Sequence, residues 1–405
     1  MTAGAGEQGV SEEAPNEGPA LPEIWAPAPR GMIPTFMVMD VVARANRLAA
    51  DGRDIVHLEV GQPSAGAPEA AVTATRVRLG SDRLGYTDSV GLPELREVIA
   101  KHYRDKYAVT IDAQSVVVTT GSSAAFLLAF LSAFSPGDRI GVPNPGYPAY
   151  RNMLAALALE PVLIPAGTGQ GYRLTRESLS ECGPLKGLLI ASPNNPTGTT
   201  LASADIRNLA RWCEARGIRL ISDEIYHGLE FERDCRTARE FSTRGIVINS
   251  FSKYFCMTGW RIGWLIAPDE LLRPIECLAQ NFHISPPAIS QQAALAALSG
   301  AARDDLQRQV AICRMNRDLL RDGLPRALFS AFAPSDGAFY LYAEIAEGLP
   351  DSPVLCERML TELGVACTPG IDFDPDDGRR FVRFSYAGAT SEIKEAVRRL
   401  RGWRP

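Results

Sequence analysis

Lysine is scarce in this chain of 405 residues, although basic residues are not. Of its 42 lysines and arginines, only five are lysines: Lys101, Lys106, Lys186, Lys253 and Lys394. The formal net charge of -5 lacks the positive excess that attracts phosphates, which argues against a nucleic-acid partner. No apolar run approaches the roughly 20 residues of a membrane-spanning helix, so no membrane segment is expected. The overall composition is that of a soluble globular protein.

Sequence motifs of several common enzyme classes are also absent. No G-x-G-x-x-G follows the first predicted strand, which removes the main support for a dinucleotide-binding fold. The chain has neither the G-x-S-x-G of α/β-hydrolases nor a G-x-x-x-x-G-K-[ST] phosphate-binding loop. Its eight cysteines form no C-x-x-C pair and no cluster with histidine at metal-ligand spacing. They indicate free thiols in a reducing, cytoplasmic compartment, with no metal site.

The pattern of hydrophobic residues predicts an α/β fold. Between residues 115 and 268, seven short apolar runs, such as "SVVVTTG" and "GLLIAS", are separated in several places by segments of helical periodicity. Runs that are apolar at nearly every position predict strands covered on both faces, and their alternation with helices predicts a mostly parallel sheet. Longer helices and a few strands after residue 300 predict a smaller second domain. Residues 1–28, acidic and rich in glycine and proline, are predicted to be a disordered tail without a signal peptide.

Polar residues collect where the predicted strands end. Because ligands of parallel α/β sheets bind at the carboxyl ends of strands, these residues are expected to line one site. Free backbone N–H groups and hydroxyls at the start of a helix suit an anion. The residues are Gly121, Ser122 and Ser123 after the first run, Asn195 after the fourth, Asp223 and Tyr226 after the fifth, and Ser250 and Lys253 after the sixth.

The stretch "SFSKYFCMTGWRIGW", from Ser250 to Trp264, places Lys253 among aromatic and apolar residues. If any cation served at this position, a chain that uses arginine almost everywhere would be expected to use arginine here. The position therefore indicates a requirement for a primary amine.

The motif S-x-S-K-x-x-x-x-x-G-x-R is formed by Ser250, Ser252, Lys253, Gly259 and Arg261, and it follows N-P-T-G and D-E-x-Y in the chain. With these motifs in this order, the chain resembles fold-type I enzymes that use pyridoxal 5′-phosphate (PLP), in particular class I/II aminotransferases related to aspartate aminotransferase. The resemblance extends from about residue 30 to residue 401. It implies transfer of an amino group from an L-amino acid to a 2-oxo acid through an internal aldimine on Lys253. Such a Schiff base requires a primary amine, which accounts for the lysine.

The resemblance also implies roles for individual residues. Lys253, Asp223 and Tyr226 are the expected catalytic residues: the amine moves a proton, the carboxylate keeps the pyridine nitrogen protonated, and the phenol tunes the ring. Arg383 is expected to hold the substrate α-carboxylate with two hydrogen bonds. The expected cofactor-binding residues are Gly121, Ser122, Ser123, Tyr147, Asn195, Asp223, Tyr226, Ser250, Lys253 and Arg261, with Tyr86 from the neighbouring subunit, and the expected substrate-binding residues are Gly61, Asn195 and Arg383.

The family architecture implies a homodimer with shared active sites. It also implies a large PLP-binding domain at residues 71–299, with a mostly parallel seven-stranded sheet flanked by helices. Residues 300–405 are expected to form a smaller α+β domain, which the N-terminal segment at residues 29–70 joins.

Two departures from the family pattern bear on the substrate. Aspartate-using members often carry a lysine at the position of Ser123, and the segment expected to cover the site, residues 32–37, is apolar. Burying a second substrate carboxylate there without a cation would be costly, so a neutral or apolar amino donor is expected. Lyase, racemase and biosynthetic cyclase reactions need the same cofactor residues and stay open as alternatives. A non-catalytic PLP-sensing regulator is more remote, because only a short acidic tail stands where a DNA-binding domain would be expected.

Overall fold

The protein is described here by a computed structural model that covers residues 25–405, so most of the tail predicted for residues 1–28 lies outside the described residues. Strands and helices alternate through the middle of the chain, and helices prevail towards its end. The strands are β1 Val56–His57, β2 Val116–Thr119, β3 Arg139–Asn144, β4 Glu160–Pro165, β5 Gly187–Ala191, β6 Arg219–Asp223, β7 Ile246–Ser250, β8 Gly263–Ile266, β9 Phe329–Phe332, β10 Tyr340–Ile345, β11 Val365–Ala366, β12 Thr368–Pro369 and β13 Phe381–Ser385. The helices are α1 Met37–Ala50, α2 Glu69–Ser81, α3 Pro93–Tyr107, α4 Gly121–Ala133, α5 Pro148–Ala156, α6 Ser203–Glu214, α7 Asp269–Phe282, α8 Ala288–Ala297, α9 Arg303–Gly323, α10 Ser352–Leu363 and α11 Thr390–Leu400.

The central sheet has seven strands in the order β2-β8-β7-β6-β5-β3-β4. All seven come from the apolar runs of the sequence, which confirms the predicted fold class. Strand β8 runs antiparallel to both of its neighbours, β2 and β7, while the pairings among β3 to β7 are parallel. The reversal of β8 is not visible in its composition, because a strand covered on both faces has the same apolar pattern in either direction.

Both faces of this sheet are covered by apolar side chains. Successive residues of a strand point to opposite faces, so Val116 and Val118 pack into one core while Val117 packs into the other. The first core includes residues of α2, α3, α6 and α8, and the second includes residues of α4, α5 and α7. Packing on both sides holds the strand ends rigidly, which is what a site assembled at those ends needs.

A second sheet lies in the C-terminal part, with the antiparallel order β12-β13-β10-β9. The N-terminal strand β1 pairs in parallel with β11, so Val56 lies opposite Val365. Residues of β1 and of the C-terminal part also share one hydrophobic core. The domain boundaries expected from the sequence stay a prediction. None of the helices in residues 25–405 combines the length and hydrophobicity needed to cross a membrane.

Candidate active site

The ends of several central strands surround a cavity of about 260 Å³. Ser122 follows β2, Asn195 follows β5, Asp223 ends β6 and Lys253 follows β7, and all four line the cavity. Because β8 runs in the opposite direction, the first residues of β8 lie at this edge. Arg261, two residues before β8, therefore reaches the same cavity. The reversed strand thus adds a guanidinium to the residues that follow the parallel strands.

Lys253 lines this cavity and is half-buried in its wall. Its Nζ donates a hydrogen bond to the carbonyl oxygen of Gly61 over 2.7 Å. Burial lowers the pKa of Lys253 to about 8, and the positive charges of Arg383 and Arg261 act in the same direction. About a tenth of the amine is therefore neutral, and nucleophilic, at pH 7. Gly61 admits no side chain, because a Cβ there would lie 1.8 Å from the Tyr340 hydroxyl oxygen.

Asp223 is also buried, and both of its carboxylate oxygens have partners. The backbone N–H of Ile225 donates to Oδ1 over 3.1 Å, and the hydroxyl of Tyr150 donates a hydrogen bond to Oδ2. Burial raises the pKa of Asp223 to about 6, while the Tyr150 hydrogen bond and the charge of Lys253 oppose the rise. The carboxyl group is thus poised to be ionised at neutral pH and to accept a further hydrogen bond.

An anion site forms where α4 begins. Gly121 has a positive φ of 76°, and a Cβ on it would lie 2.5 Å from Nη2 of Arg261, so the guanidinium occupies the space that a side chain would fill. Ser122 and Ser123 follow on the first turn of α4 and line the cavity. Arg261 itself has a left-handed backbone with a φ of 50°, which is uncommon for a residue with a side chain. Helix N–H groups, hydroxyls and a guanidinium together suit a phosphate.

Two serines of the S-x-S-K motif differ in their position. Ser252 lines the cavity, whereas Ser250 is buried and does not line it. The Ser250 hydroxyl lies 2.9 Å from that of Ser252 and donates to the carbonyl oxygen of Ile262 over 3.0 Å. Its predicted contact with the cofactor phosphate stays a prediction.

Arg383 lies on β13 and reaches the cavity from the C-terminal sheet, with only 1% of its surface exposed. Its Nη1 donates to Asn195 Oδ1 over 2.9 Å, and its Nη2 donates to the carbonyl oxygen of Glu59 and to Thr368 Oγ1. The guanidinium lies over the rings of Tyr340, 4.3 Å away, and Phe373, 4.5 Å away. Its buried Nε has no hydrogen-bond partner in the described chain. This is a rigidly held cation with a donor left over for a ligand.

Phenol groups line the rest of the polar surface. The hydroxyl of Tyr226 lies 3.0 Å from that of Tyr340, and burial raises the pKa of Tyr226 well above its usual value. Burial also raises the pKa of Tyr147 to about 12. Both phenols therefore stay protonated at neutral pH and can act as hydrogen-bond donors.

Most residues predicted from the sequence line this cavity, whereas Tyr86, Gly121 and Ser250 do not. Tyr86 is 83% exposed and does not line the cavity within the described part of the single chain. An exposed position is what a residue reaching into a neighbouring subunit requires, so its role stays a prediction. Four polar lining residues were not identified from the sequence, Gln62, Tyr150, Thr258 and Tyr340, and a fifth, Ser252, was named only as part of the lysine motif. Only Tyr150 had a usable signal: it lies three residues after Tyr147 at the start of a helix, and thus one turn along the same face.

The remaining wall of the cavity is apolar. It is formed partly by Phe36, from the segment 32–37 expected to cover the site, and by Val38 and Met39 at the start of α1. The apolar lining residues are Phe36, Val38, Met39, Val60, Phe126, Met153 and Ile225. Asp372 keeps α1 in place by accepting hydrogen bonds from the backbone N–H groups of Met37 and Val38.

The chemistry of these residues fits PLP. The Arg261 guanidinium packed against Gly121 and the hydroxyls of Ser122 and Ser123 suit the phosphate, and the desolvated amine of Lys253 suits the aldehyde. Asp223 suits the pyridine nitrogen, and the unpartnered Nε of Arg383 suits a carboxylate of the substrate. The phosphate, the aldehyde and the ring nitrogen of the cofactor thus each have a partner of matching chemistry.

Comparisons with known proteins agree with this geometry. The family model described as aminotransferase class I and II matches residues 53–400. The chain is 46% identical to the valine–pyruvate aminotransferase of Mycobacterium tuberculosis, over 93% of this chain and 98% of that protein. An aminotransferase crystal structure from Mycobacterium tuberculosis has a TM-score of 0.90 at 46% identity, covering 93% of this chain and 98% of that one. Aspartate aminotransferase from Thermus thermophilus with maleate has a TM-score of 0.88 at 30% identity, covering 92% and 98%.

Proposed function

Because the chain belongs to the aminotransferase class I and II family of PLP-dependent enzymes, we propose that it takes amino groups from neutral, apolar L-amino acids. Membership of the family confirms the predicted cofactor and the predicted transfer of an amino group to a 2-oxo acid. It also favours transfer over the lyase, racemase and cyclase reactions considered above. The choice of donor goes further, and one observation carries it: the apolar wall of the cavity.

The cations of the site leave none for a second substrate carboxylate. Those that line the cavity in the described part of this chain are Lys253, Arg261 and Arg383. The first is assigned here to the cofactor aldehyde, the second to its phosphate and the third to the α-carboxylate. Ser123 replaces the lysine often found in aspartate-using relatives, and an unpaired carboxylate buried against the apolar wall is strongly disfavoured. The name of the 46% identical relative, a valine–pyruvate aminotransferase, supports an apolar donor.

Individual residues of the site are assigned separate roles in the reaction. When bound, PLP supplies an aldehyde that bonds to an amine and a ring that stabilises negative charge at the substrate Cα. We assign the proton transfers to Lys253: its neutral amine, favoured by burial, takes the proton from the substrate Cα and returns it on the product side. Asp223 is the partner of the ring nitrogen, and Asn195 and Tyr226 are the partners of the ring oxygen. Tyr147 is assigned to stacking against the ring.

Arg383 is assigned to substrate orientation. Contacts with Asn195, Thr368 and the carbonyl of Glu59 fix the plane of its guanidinium before any ligand binds. A fixed plane favours capture of a carboxylate in a single orientation, which sets the direction of the Cα–H bond relative to Lys253. Gly61 complements this arrangement, because its lack of a side chain leaves room for the Tyr340 phenol in the cavity wall.

We further propose a homodimer that works in the cytoplasm. The exposed Tyr86 would contact the cofactor phosphate bound by Gly121, Ser122, Ser123, Ser250 and Arg261 of the partner subunit. Exposure of its ring in the single chain supports this arrangement. All eight cysteines are free thiols in the structure, which supports a reducing compartment.

A comparison of amino donors tests the proposed specificity. With pyruvate as acceptor and alanine formation as the readout, kcat/KM for L-valine should exceed that for L-aspartate by at least about 100-fold, since an uncompensated buried charge typically costs about 3–5 kcal/mol. Ser123→Lys should reduce this ratio by about tenfold or more, because the new ammonium pairs with the second carboxylate. Ser123→Thr, which keeps the hydroxyl, should leave the ratio unchanged. A wild-type enzyme that prefers aspartate would contradict the proposal.

A further inference from the structure

Tyr150 was not among the residues predicted from the sequence, yet its hydroxyl donates a hydrogen bond to Oδ2 of Asp223. Both side chains are buried, with 3% and 5% of their surfaces exposed. The contact joins α5 to the end of β6, 73 positions away in the sequence. A buried hydroxyl has few other acceptors to which it could donate, so the hydrogen bond from Tyr150 to the Asp223 carboxylate is persistent.

We propose that Tyr150 is a positioning residue of the amino-transfer reaction, which holds the Asp223 carboxylate ionised and in one orientation towards the cofactor ring. The inference rests on the role proposed above for Asp223. Tyr150 acts through that carboxylate rather than on the substrate.

The surroundings of Asp223 show why such a donor is needed. Burial disfavours a negative charge there. The ionisable groups that face the carboxyl group are Lys253 from the loop after β7, Tyr147 just before α5, Tyr150 in α5 and Tyr226 from the loop after β6. Of the influences that oppose burial, the hydrogen bond from Tyr150 is the largest, ahead of the backbone N–H of Ile225 and the charge of Lys253. The charge of Lys253 changes once its amine bonds to the cofactor. The Tyr150 phenol then still donates its hydrogen bond to the Asp223 carboxylate.

The orientation of Tyr150 is set by its neighbours. Its ring centroid lies 5.2 Å from that of Phe126 and 5.2 Å from that of Tyr147, the latter in an edge-to-face arrangement. The backbone N–H of Ile225 holds the other carboxylate oxygen. With one oxygen fixed by backbone and the other by a packed phenol, the carboxylate cannot rotate away from the cavity. Tyr147 and Tyr150, three residues apart, thus bring a stacking ring and a hydrogen-bond donor from one helical turn.

Tyr150→Phe removes the donor and keeps the ring. We expect kcat for the transfer from L-valine to pyruvate to fall about tenfold at pH 7, with KM for valine within about twofold. The acidic limb of the kcat–pH profile should move up by about one pH unit, because the carboxylate then protonates more readily. A readout independent of turnover is the Kd of PLP for the protein, measured by quenching of tryptophan fluorescence, which should rise about tenfold.

A double-mutant cycle separates positioning from a purely structural role. If Tyr150 acts through Asp223, adding Tyr150→Phe to Asp223→Asn should leave the Kd of PLP within about twofold of that of Asp223→Asn alone. If Tyr150 only supports the fold, the two losses multiply. The matched control is Tyr103→Phe, which removes a buried hydroxyl that accepts a hydrogen bond from Trp264 outside the site. It should change neither the Kd nor the pH profile.

The results for Tyr150→Phe and Asp223→Asn distinguish the role of Tyr150 from that of Asp223. An unshifted acidic limb in Tyr150→Phe, or losses that multiply in the cycle, overturns the inference even if Asp223→Asn is inactive. Wild-type turnover in Asp223→Asn overturns the assigned role of Asp223, and the inference with it. Should Tyr150→Phe fail to fold, site-specific replacement of Tyr150 by 3,5-difluorotyrosine keeps the shape and strengthens the donor. The acidic limb should then move to lower pH, and an upward or absent shift overturns the inference.

Discussion

Replacing Lys253 with arginine keeps a positive charge at the centre of the site and removes only the primary amine. Burial lowers the pKa of Lys253 to about 8, so at pH 8 about half of the amine is neutral and able to bond to an aldehyde or accept a proton. A guanidinium with a pKa of about 12.5 is neutral in roughly one molecule in 30,000 at that pH. This difference in the neutral fraction at pH 8 alone predicts a fall in kcat of about 10⁴-fold for Lys253→Arg.

The assay follows alanine formed from pyruvate with L-valine as donor, at pH 8. In parallel, borohydride reduction of the PLP-loaded wild-type protein followed by peptide mapping should place the pyridoxyl label on Lys253. The matched control is Lys101→Arg, the same substitution at an exposed lysine of α3 that pairs with Asp105. It should keep wild-type turnover. Turnover of Lys253→Arg within tenfold of wild type, or a label on another lysine, would contradict the role assigned to the Lys253 amine.

Two further predictions concern stability and assembly. Burial raises the pKa of Glu224 from 4.5 to about 8, so the folded protein keeps a proton that the unfolded chain loses, and stability falls as pH rises between these values. Glu224→Gln should therefore lose less Tm than wild type between pH 5 and about 8 in thermal unfolding, and equal losses would contradict the shifted pKa. Mixing Tyr86→Phe chains with Lys253→Ala chains should produce hybrid dimers in which one site has an intact lysine and an intact partner tyrosine. PLP affinity at that site should return to the wild-type value, whereas no recovery would show that Tyr86 acts within its own chain.

The sequence alone was sufficient to predict the central sheet and most of the site. Seven apolar runs became the seven strands, because a strand buried on both faces must be apolar at nearly every position. Asn195, Asp223 and Lys253 could be placed together because the carboxyl ends of parallel strands share one edge. Lys253 could also be recognised as special, since the chain otherwise prefers arginine.

The tertiary structure alone decided how these groups are tuned and what surrounds them. The sequence motif identified Arg261, but the reversal of β8 that brings it to the site leaves no trace in a run that is apolar throughout. The Tyr150 hydrogen bond to Asp223 joins residues 73 positions apart, and its effect on the carboxylate depends on burial that no local pattern records. The apolar wall likewise gathers side chains from α1, α4 and α5. Local composition determines which segments become strands and which residues end them, whereas pKa values and substrate preference depend on distances between segments that only folding sets.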